Sequence, residues 1–328
     1  MNKISSHKKS IIGWLGFTAF MVFAMAVIGA ITRLTESGLS MVEWRPLIGA
    51  LPPMSEAEWM RVFDLYKQIP EYTQQNSWMQ LEDFKRIFFW EWFHRLWGRM
   101  IGLVFAIPLI YFWIRGAIPQ GYKGRLLFLL FLGAMQGVMG WYMVRSGLSE
   151  LTSVSHYRLA AHLSLAVLIF GVLAWTIFDL KYQRAQLDFS NFCIKRHGLI
   201  ALGFLAVTII WGAFVAGLDG GMIYNSWPLM DGQLIPVEAG ISGAFYNNPA
   251  GVQFFHRWIA IATGLVIILY AMRVQGFALA GMVFVQITLG ILTVLSQAAI
   301  PLAALHQAGA LILLFILLRH IHKTFVKK

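Results

Sequence analysis

The chain has 328 residues, of which 58% are hydrophobic and only 12% are charged. Together with a mean hydropathy of +0.66, this composition excludes a water-soluble protein of this length and predicts a membrane protein. The net charge of +11 is typical of some nucleic-acid-binding proteins, but basic residues that flank apolar segments set membrane topology instead. We therefore expect contact with membrane lipid and no nucleic-acid partner.

Eight apolar segments follow one another along the chain, each close to the roughly 20 residues that a helix needs to cross a bilayer. They lack the alternating pattern of a membrane barrel, so we predict an all-α membrane protein with eight transmembrane helices. The segments are 11–32, 88–114, 124–144, 157–179, 197–218, 252–272, 276–298 and 301–320.

The first segment follows Lys8 and Lys9 in the manner of a secretory signal. We expect it to be retained, because the fifth segment is its counterpart and each half of the chain needs one. No leader rich in Arg and Ser precedes it, which favours a bacterial inner membrane over import into an organelle.

The longest polar stretch, 33–87, separates the first two segments. It contains an amphipathic run from Ser55 to Tyr66, and Ser55 and Glu58 have the spacing of a helix-capping pair. We predict a short helix there, outside the membrane.

A Trp-Pro landmark occurs in this loop, at Trp44 and Pro46, and again in the loop 219–251, at Trp227 and Pro228. Tryptophans at these places are typical of interfacial anchors. A role in covering a ligand is equally consistent with the pattern.

The third segment contains Gly133 and Gly137 at a spacing that permits close helix contact. Glycines that are merely tolerated there account for the pattern equally well.

Basic residues are unevenly distributed between the two sides of the predicted bundle. If the segments alternate, one side carries most of the basic residues together with Asp179 and Asp188 as its acidic residues. This is the positive-inside pattern, and it places both chain termini in the cytoplasm. The free Cys193 falls on that side. Four histidines there are expected to contact headgroups or water: His7, His197, His320 and His322.

Several motifs recur in the second part of the chain, which predicts an internal repeat. An even number of crossings in each copy makes the repeat parallel, with its axis along the membrane normal. We predict two pseudo-symmetric four-helix bundles, 1–185 and 186–328. The matched positions are Phe93-His94-Arg95 with Phe255-His256-Arg257, His162 with His306, and Gln136-x-x-x-Gly140 with Gln286-x-x-x-Gly290.

Four histidines, His94, His162, His256 and His306, lie in segments that all run in the same direction. We expect each within the first turn or two of its helix, so that all four lie at a similar depth. Two histidines from facing helices at equal depth are typical of ligands that clamp a haem iron from both sides. The pattern predicts one haem-sized site in each half.

Histidines in membrane helices also have roles other than haem ligation. A single membrane histidine more often makes an interhelical hydrogen bond, but four that are paired by a repeat favour ligands. Zinc is disfavoured, because it usually needs three or four N, S or O ligands together. His156 is a further candidate without a counterpart in the second half.

The two halves differ at one position near the histidines. Glu91 precedes His94 by three residues, whereas Gln253 occupies the matching place. A carboxylate on the same helix face as a ligand can relay protons or stabilise positive charge, although pairing of Glu91 with Arg95 at the interface is the simpler alternative. The difference predicts one reactive half and one that only transfers electrons.

Arg95 and Arg257 directly follow the repeated histidines. Guanidinium groups bind carboxylates with two hydrogen bonds, which suits haem propionates. Snorkelling of these side chains to lipid headgroups is the alternative.

In this order the motifs resemble those of haem A synthase, and the resemblance covers nearly the whole chain. The motifs that carry it are Thr32-Arg-Leu-Thr-Glu-Ser-Gly-Leu-Ser40, Trp44, Leu51-Pro-Pro53, Glu91-x-x-His94-Arg95, Tyr157-Arg-Leu-Ala-Ala-His162-Leu, Asn225-Ser-Trp-Pro-Leu-Met230-Asp-Gly232 and Phe255-His-Arg257.

The resemblance implies oxidation of the C8 methyl of haem O to a formyl group by successive hydroxylations. It implies a haem b cofactor held by His256 and His306, with Arg257 nearby. It also implies a haem O site between His94 and His162, with Glu91 as a catalytic residue. The chain has no cysteine pairs in its outer loops and so resembles the proteobacterial and mitochondrial class.

We expect haem O synthase to donate the substrate, and a further electron-transfer partner that the sequence does not identify. Two other functions are alternatives for a membrane protein with such an internal repeat. A di-haem b-type cytochrome, such as a quinol oxidoreductase subunit, needs the four histidines but not an acid in one half only. A transporter with parallel repeats needs polar residues near mid-membrane, whereas the conspicuous polar groups here lie at one end.

Overall fold

The structure is a computed structural model described over residues 3–44, 48–149, 151–182, 191–240 and 243–325. In these residues the regular structure is helical, with short 3-10 and π turns in the loops and no strand beyond an isolated bridge between Met230 and Gln233. The α-helices are α1 (Lys3–Leu34), α2 (Glu56–Tyr66), α3 (Leu81–Ile114), α4 (Lys123–Ser149), α5 (His156–Tyr182), α6 (Phe192–Gly217), α7 (Pro249–Arg273), α8 (Phe277–Leu295) and α9 (Ile300–Phe325).

All of these helices except α2 are long and apolar enough to cross a membrane, which confirms the eight predicted segments. The start of α3 differs from the prediction, because α3 begins at Leu81 instead of residue 88. Its first turns are stable outside the apolar segment because α2 packs on them. Phe84 of α3 stacks on Phe63 of α2, with 4.9 Å between the ring centres. The start is fixed by the backbone N–H of Gln80, which donates to Asp83 Oδ2 at 3.2 Å.

The predicted loop helix is confirmed as α2. Ser55 caps it, because its Oγ accepts from the backbone N–H of Glu58 at 3.2 Å. On the buried side, Tyr66 donates to Glu71 Oε2 at 2.9 Å and accepts from Asn76 Nδ2 at 2.9 Å. Burial raises the pKa of the Glu71 carboxyl to about 8, and the nearby Glu91 adds to that rise. The loop therefore contains a proton-binding group of its own.

Helix contacts repeat between the first half (α1–α5) and the second half (α6–α9). In the first half α1 packs on α3 and α5, α3 on α4, and α4 on α5; in the second, α6 packs on α7 and α9, α7 on α8, and α8 on α9. Between the halves α5 meets α6, α9 meets α1, and α5 meets α9. These contacts are compatible with a twofold relation between two four-helix bundles. The predicted boundary between 185 and 186, like Asp188, lies outside the described residues.

We call the side that carries α2 and residues 218–240 the loop side, and the opposite side, where α1 begins and α9 ends, the terminus side. On the terminus side, His322 is 3% exposed, so the expectation that it contacts headgroups or water is wrong. Its Nε2 lies 2.9 Å from Asp179, which also accepts from Arg125 at 2.5 Å. The reason is that α9 continues to Phe325, so His322 still faces the bundle. His197 is likewise engaged, with its Nε2 3.1 Å from the carbonyl oxygen of Val266.

Polar contacts between the halves occur at several depths. Each joins a helix of the first half to a helix or helix end of the second. They are Arg33 with Asp219 on the loop side (2.9 Å), Tyr157 with Asn247 just before α7 on the same side (2.5 Å), Gln307 with the carbonyl oxygen of Ala26 next to His306 (2.5 Å), and Asp179 with His322 on the terminus side (2.9 Å).

Candidate functional site

Three of the four predicted histidines, His162, His256 and His306, lie within about two turns of the loop-side start of their helices. His94 does not, because α3 begins at Leu81, well before the apolar segment. The expectation of a place in the first two turns is therefore wrong for His94.

Each of the four histidine rings packs its Cε1 edge against a glycine of the preceding long helix. A Cβ atom at any of these glycines would approach the ring more closely than ordinary van der Waals contact allows, so no other residue fits without a shift of the ring. The pairs, with the distance from that Cβ to Cε1, are Gly29 with His94 (3.1 Å), Gly140 with His162 (3.1 Å), Gly212 with His256 (3.1 Å) and Gly290 with His306 (2.9 Å).

The second-half histidines face each other. The ring centres of His256 and His306 are 6.5 Å apart, and the ring planes are nearly perpendicular at 89°. In a haem clamped from both sides, two nitrogen–metal bonds of about 2 Å and two ring radii of about 1.2 Å separate the ring centres by about 6.4 Å. The pair therefore fits a bis-histidine haem iron.

Glutamines hold one histidine of each pair. Gln286 Nε2 lies 3.2 Å from Nδ1 of His306 and donates to its carbonyl oxygen at 2.9 Å. Gln136 Nε2 lies 3.3 Å from both ring nitrogens of His162 and 3.1 Å from its carbonyl oxygen. The Gln-x-x-x-Gly motif thus contacts one ring through both of its named residues. Within the described part of the chain, Nδ1 of His94 and of His256 is buried without a hydrogen-bond partner.

No group of three or more His, Cys, Asp or Glu side chains in the described residues is arranged to hold a metal ion. The zinc alternative therefore gains no support. His156 packs on α6, where its ring lies 5.6 Å from Phe214. Cys193 is free and exposed.

Glu91 is only 3% exposed, and three donors converge on its carboxylate. Oε2 accepts from Ser40 Oγ at 2.7 Å and from the backbone N–H of Met41 at 2.6 Å. Oε1 accepts from Arg95 Nη2 at 2.5 Å. The expected pairing with Arg95 is present, but it is a buried pair tied to the loop and not an exposed one.

At the matching position in the second half, the amide nitrogen of Gln253 donates a hydrogen bond, whereas the carboxylate of Glu91 accepts three. Its Nε2 donates to the carbonyl oxygen of Tyr224 at 3.0 Å. Arg257 donates to the same oxygen at 2.8 Å and to that of Ser226 at 2.9 Å. Arg95 donates to the carbonyl oxygen of Met41 at 2.9 Å in the same manner.

Both arginines therefore hold loop carbonyls above the histidines. Nε of Arg257 is buried without a partner among the described residues, so its contact with a haem propionate stays a prediction.

The similarity of these loop contacts reflects a further repeated stretch of sequence, which sequence reasoning missed. Residues 29–44 pair with 212–227 without a gap, from the two glycines that seat histidines to Trp44 and Trp227. Glu36 and Asp219 fall at equal places in it, and both have left-handed backbone with φ of 52° and 51°. The constant offset of 183 residues between the two stretches is the sequence signal that could have revealed this repeat.

The Trp-Pro landmarks end this matched stretch. Trp44 is 54% exposed and lies 6.5 Å from the ring of Trp141, whereas Trp227 lies 5.9 Å from the Arg257 guanidinium. Pro46 lies outside the described residues.

Comparison with known proteins identifies the family of the chain. A family model described as cytochrome oxidase assembly protein matches residues 13–318. The chain is 48% identical to a haem A synthase of Rhodospirillum centenum, over 96% of this chain and 88% of that protein. It is 44% identical to the haem A synthases of Parvibaculum lavamentivorans (98% and 96% covered) and Maricaulis maris (95% and 95%). These relatives do not favour a di-haem electron-transfer cytochrome. The chain belongs to the haem A synthase family, and it is a multi-pass membrane oxidoreductase of haem A biosynthesis that acts on haem O.

Proposed function

We propose that the two histidine pairs divide the reaction between the halves. His256 and His306 hold a resident haem b, and His94 and His162 receive haem O for oxidation of its C8 methyl to a formyl group. The observation that supports this division most is the difference at one matched position, where the first half has a buried carboxylate and the second half has Gln253.

The second pair suits a permanently bound cofactor. Its rings are already spaced for a bis-histidine iron, at 6.5 Å, and Gln286 and Gly290 fix the orientation of His306. When bound, haem b supplies one-electron transfer at this place. Gln253 and Arg257 hold the loop carbonyls without adding a negative charge beside the iron.

In the first half, the chain's own residues prepare the place where the methyl group reacts. Glu91 lies one helix turn from His94, and its negative charge can stabilise positive charge or accept a proton as the methyl is oxidised. Ser40, Met41 and Arg95 hold the carboxylate in one position. These contacts also fasten the loop over the pair, which keeps water from the reacting group.

The distribution of basic residues and the low solubility of haem O in water indicate the orientation of the enzyme in the membrane and its partners. The terminus side carries the excess of basic residues, so we place it and both termini in the cytoplasm of a bacterium, with the eight helices in the inner membrane. Haem O is poorly soluble in water, which favours delivery by haem O synthase within the membrane. A separate electron-transfer partner completes the oxidation.

Histidine replacement tests the division. His256→Ala and His306→Ala should each remove haem b from the purified protein, since the iron loses one of its two protein ligands. His94→Ala should keep haem b and lose haem A formation. His156→Ala is the matched control, because His156 packs on Phe214 instead.

The measurements are the absorption spectrum and the haems extracted from the protein. A full low-spin b spectrum in both second-half variants would contradict the assignment of haem b to that pair.

A further inference from the structure

Three carboxylate side chains are buried in the described part of the chain, namely Glu71, Glu91 and Asp179. Two of them pair with arginines, Glu91 with Arg95 and Asp179 with Arg125. Glu71 accepts from a phenol, and no cation of the described residues forms a salt bridge with it. A buried carboxyl without a cation is costly to keep ionised. Such a group, in the same half as the proposed reaction, is a candidate for proton transfer.

Glu71 lies at the boundary between the buried part of the loop and the surface. Its Oε2 accepts from the Tyr66 hydroxyl at 2.9 Å, and the same hydroxyl accepts from Asn76 Nδ2 at 2.9 Å. Because burial raises the pKa of Tyr66, the phenol keeps its proton and stays a donor. Residues 73–75 are exposed, so the surface begins two residues after the Glu71 carboxyl.

The charges around Glu71 connect it with Glu91. The pKa of Glu71 is raised to about 8, first by burial and then by the negative charges of Glu91 and Glu36. Arg33, which also pairs with Asp219, opposes the rise. A carboxyl with such a pKa binds and releases protons near neutral pH. Since a negative Glu91 favours the protonated form of Glu71, a proton that reaches Glu91 favours release from Glu71.

Packing joins the segment of Glu71 to that of Glu91. The ring centre of Tyr66 lies 5.2 Å from that of Phe84. Phe84 precedes Glu91 by seven residues, so it lies on the same face of α3, about 10 Å along the helix axis. Leu39 packs in the same apolar cluster as Tyr66, and the next residue, Ser40, donates to Glu91. The two carboxyls therefore belong to one packed unit on the loop side.

We propose that Glu71 carries the proton that Glu91 accepts during oxidation of the methyl group to the outside. This inference rests on the proposed role of Glu91. The O–H bond of protonated Glu91 breaks as that of Glu71 forms, and Glu71 then gives its proton to water at the surface. The second half, to which we assign no proton transfer, has no buried carboxylate among its described residues, and Glu238 of its loop is exposed.

The first test follows the protonation of Glu71 in the purified full-length protein without substrate. The carbonyl absorption of the protonated carboxyl is recorded by infrared difference spectroscopy as the pH is varied, and Glu71→Gln identifies the band. We expect a midpoint near pH 8. Glu91→Gln should lower the midpoint, because a negative charge that raises it is removed. The control Asp64→Asn, which removes an exposed carboxylate of α2, should leave it unchanged.

The second test measures the rate of haem A formation from haem O as a function of pH. Glutamine at position 71 can still accept from Tyr66 but cannot carry the proton. Glu71→Gln should therefore slow the reaction about a hundredfold, the lower end of the effect of a positioned proton-transfer group. Glu71→Asp restores an ionisable group and should recover part of the rate with a shifted pH profile. A purely structural Glu71 would give the opposite order, since Gln is closer to Glu in size.

The outcomes separate this inference from the proposed function. Normal haem A formation in Glu91→Gln would remove the proposed role of Glu91, and the exit through Glu71 with it. Loss of haem A in Glu91→Gln together with a normal rate in Glu71→Gln would overturn the exit alone. An infrared midpoint that Glu91→Gln leaves unchanged would also overturn it, because the two carboxyls would then titrate independently. So would a Glu71→Asp variant that is slower than Glu71→Gln.

Discussion

Replacement of Glu91 by Gln tests whether the carboxylate in the first half is needed, and the structure sets the expected size of the effect. Three donors reach Glu91, from Ser40, Met41 and Arg95. An amide has one oxygen, so its NH2 group must face either Arg95 or the loop donors. A lost hydrogen bond to a charged group costs about 1.5–3 kcal/mol. An exposed pair would cost at most about 1 kcal/mol, but this side chain is buried.

We therefore expect Glu91→Gln to leave the helices folded and haem b bound, to loosen the loop at residues 40–43, and to block haem A formation. A loss of roughly 3 kcal/mol corresponds to about a 150-fold rise in local opening. Hydrogen exchange of the Met41 amide measures the opening directly. Haem extraction from cells that also make haem O measures the product.

A second variant separates the loop contact from the charge. Arg95→Gln removes the same salt bridge and keeps the carboxylate. If Glu91 acts only through Arg95, both variants should lose haem A equally and the double variant should be no worse. If the charge acts on the substrate, Glu91→Gln should be the more severe. Normal haem A content together with unchanged exchange at Met41 would refute both roles and leave the difference between the halves without a functional meaning.

Further predictions concern the histidine seats, the loop and the topology. Gly290→Ala should weaken haem b retention, because its Cβ would lie 2.9 Å from the ring that it seats, whereas Gly281→Ala on the same helix meets nothing within 4 Å and should not; haem content per protein decides. The pKa of Glu71 is raised to about 8, so its protonated form stabilises the folded loop. That contribution is complete below pH 4.5 or so and is lost as the pH rises to about 8. The protection factors of the α2 amides, which correct for the intrinsic rise of exchange with pH, should therefore fall over this range, and Glu71→Gln should abolish the fall. In a cysteine-free background, a cysteine at Met60 should react with an impermeant reagent added outside the cell and one at Lys123 should not; the reverse would overturn the orientation.

The sequence was sufficient for those parts of the fold that depend on composition and local repetition. The lengths of the apolar segments predicted the eight membrane-spanning helices, and the repeated Phe-His-Arg tripeptide pointed to the two histidine pairs. The start of α3 was missed because Phe84 is stabilised by α2, a contact that hydropathy does not record. His322 was misplaced for a similar reason, since its partner Asp179 is distant in the chain.

The four histidines could be picked out from the sequence as candidate ligands, but the residues that position them could not. Glycine is common in membrane helices, so nothing in the sequence marks Gly29 or Gly212 as the residue beneath a ring. The chemistry of the arginines suits haem propionates and lipid headgroups alike, yet Arg257 uses both of its Nη groups on backbone carbonyls of the loop. Such choices depend on which acceptor the fold brings nearest.

The polar contacts between the halves have a consequence for how fast electrons can move. On α9, Gln307 donates to the carbonyl oxygen of Ala26 on α1 beside His306, and His322 near the other end of α9 contacts Asp179 on α5. A rocking motion of one half against the other, as in a transporter, would have to break both. Tunnelling between two redox centres falls steeply with their separation. Ties at two depths keep the separation of the two histidine pairs constant. On the proposed division, in which each pair holds a haem, an electron that passes between the pairs therefore need not wait for a slow domain movement.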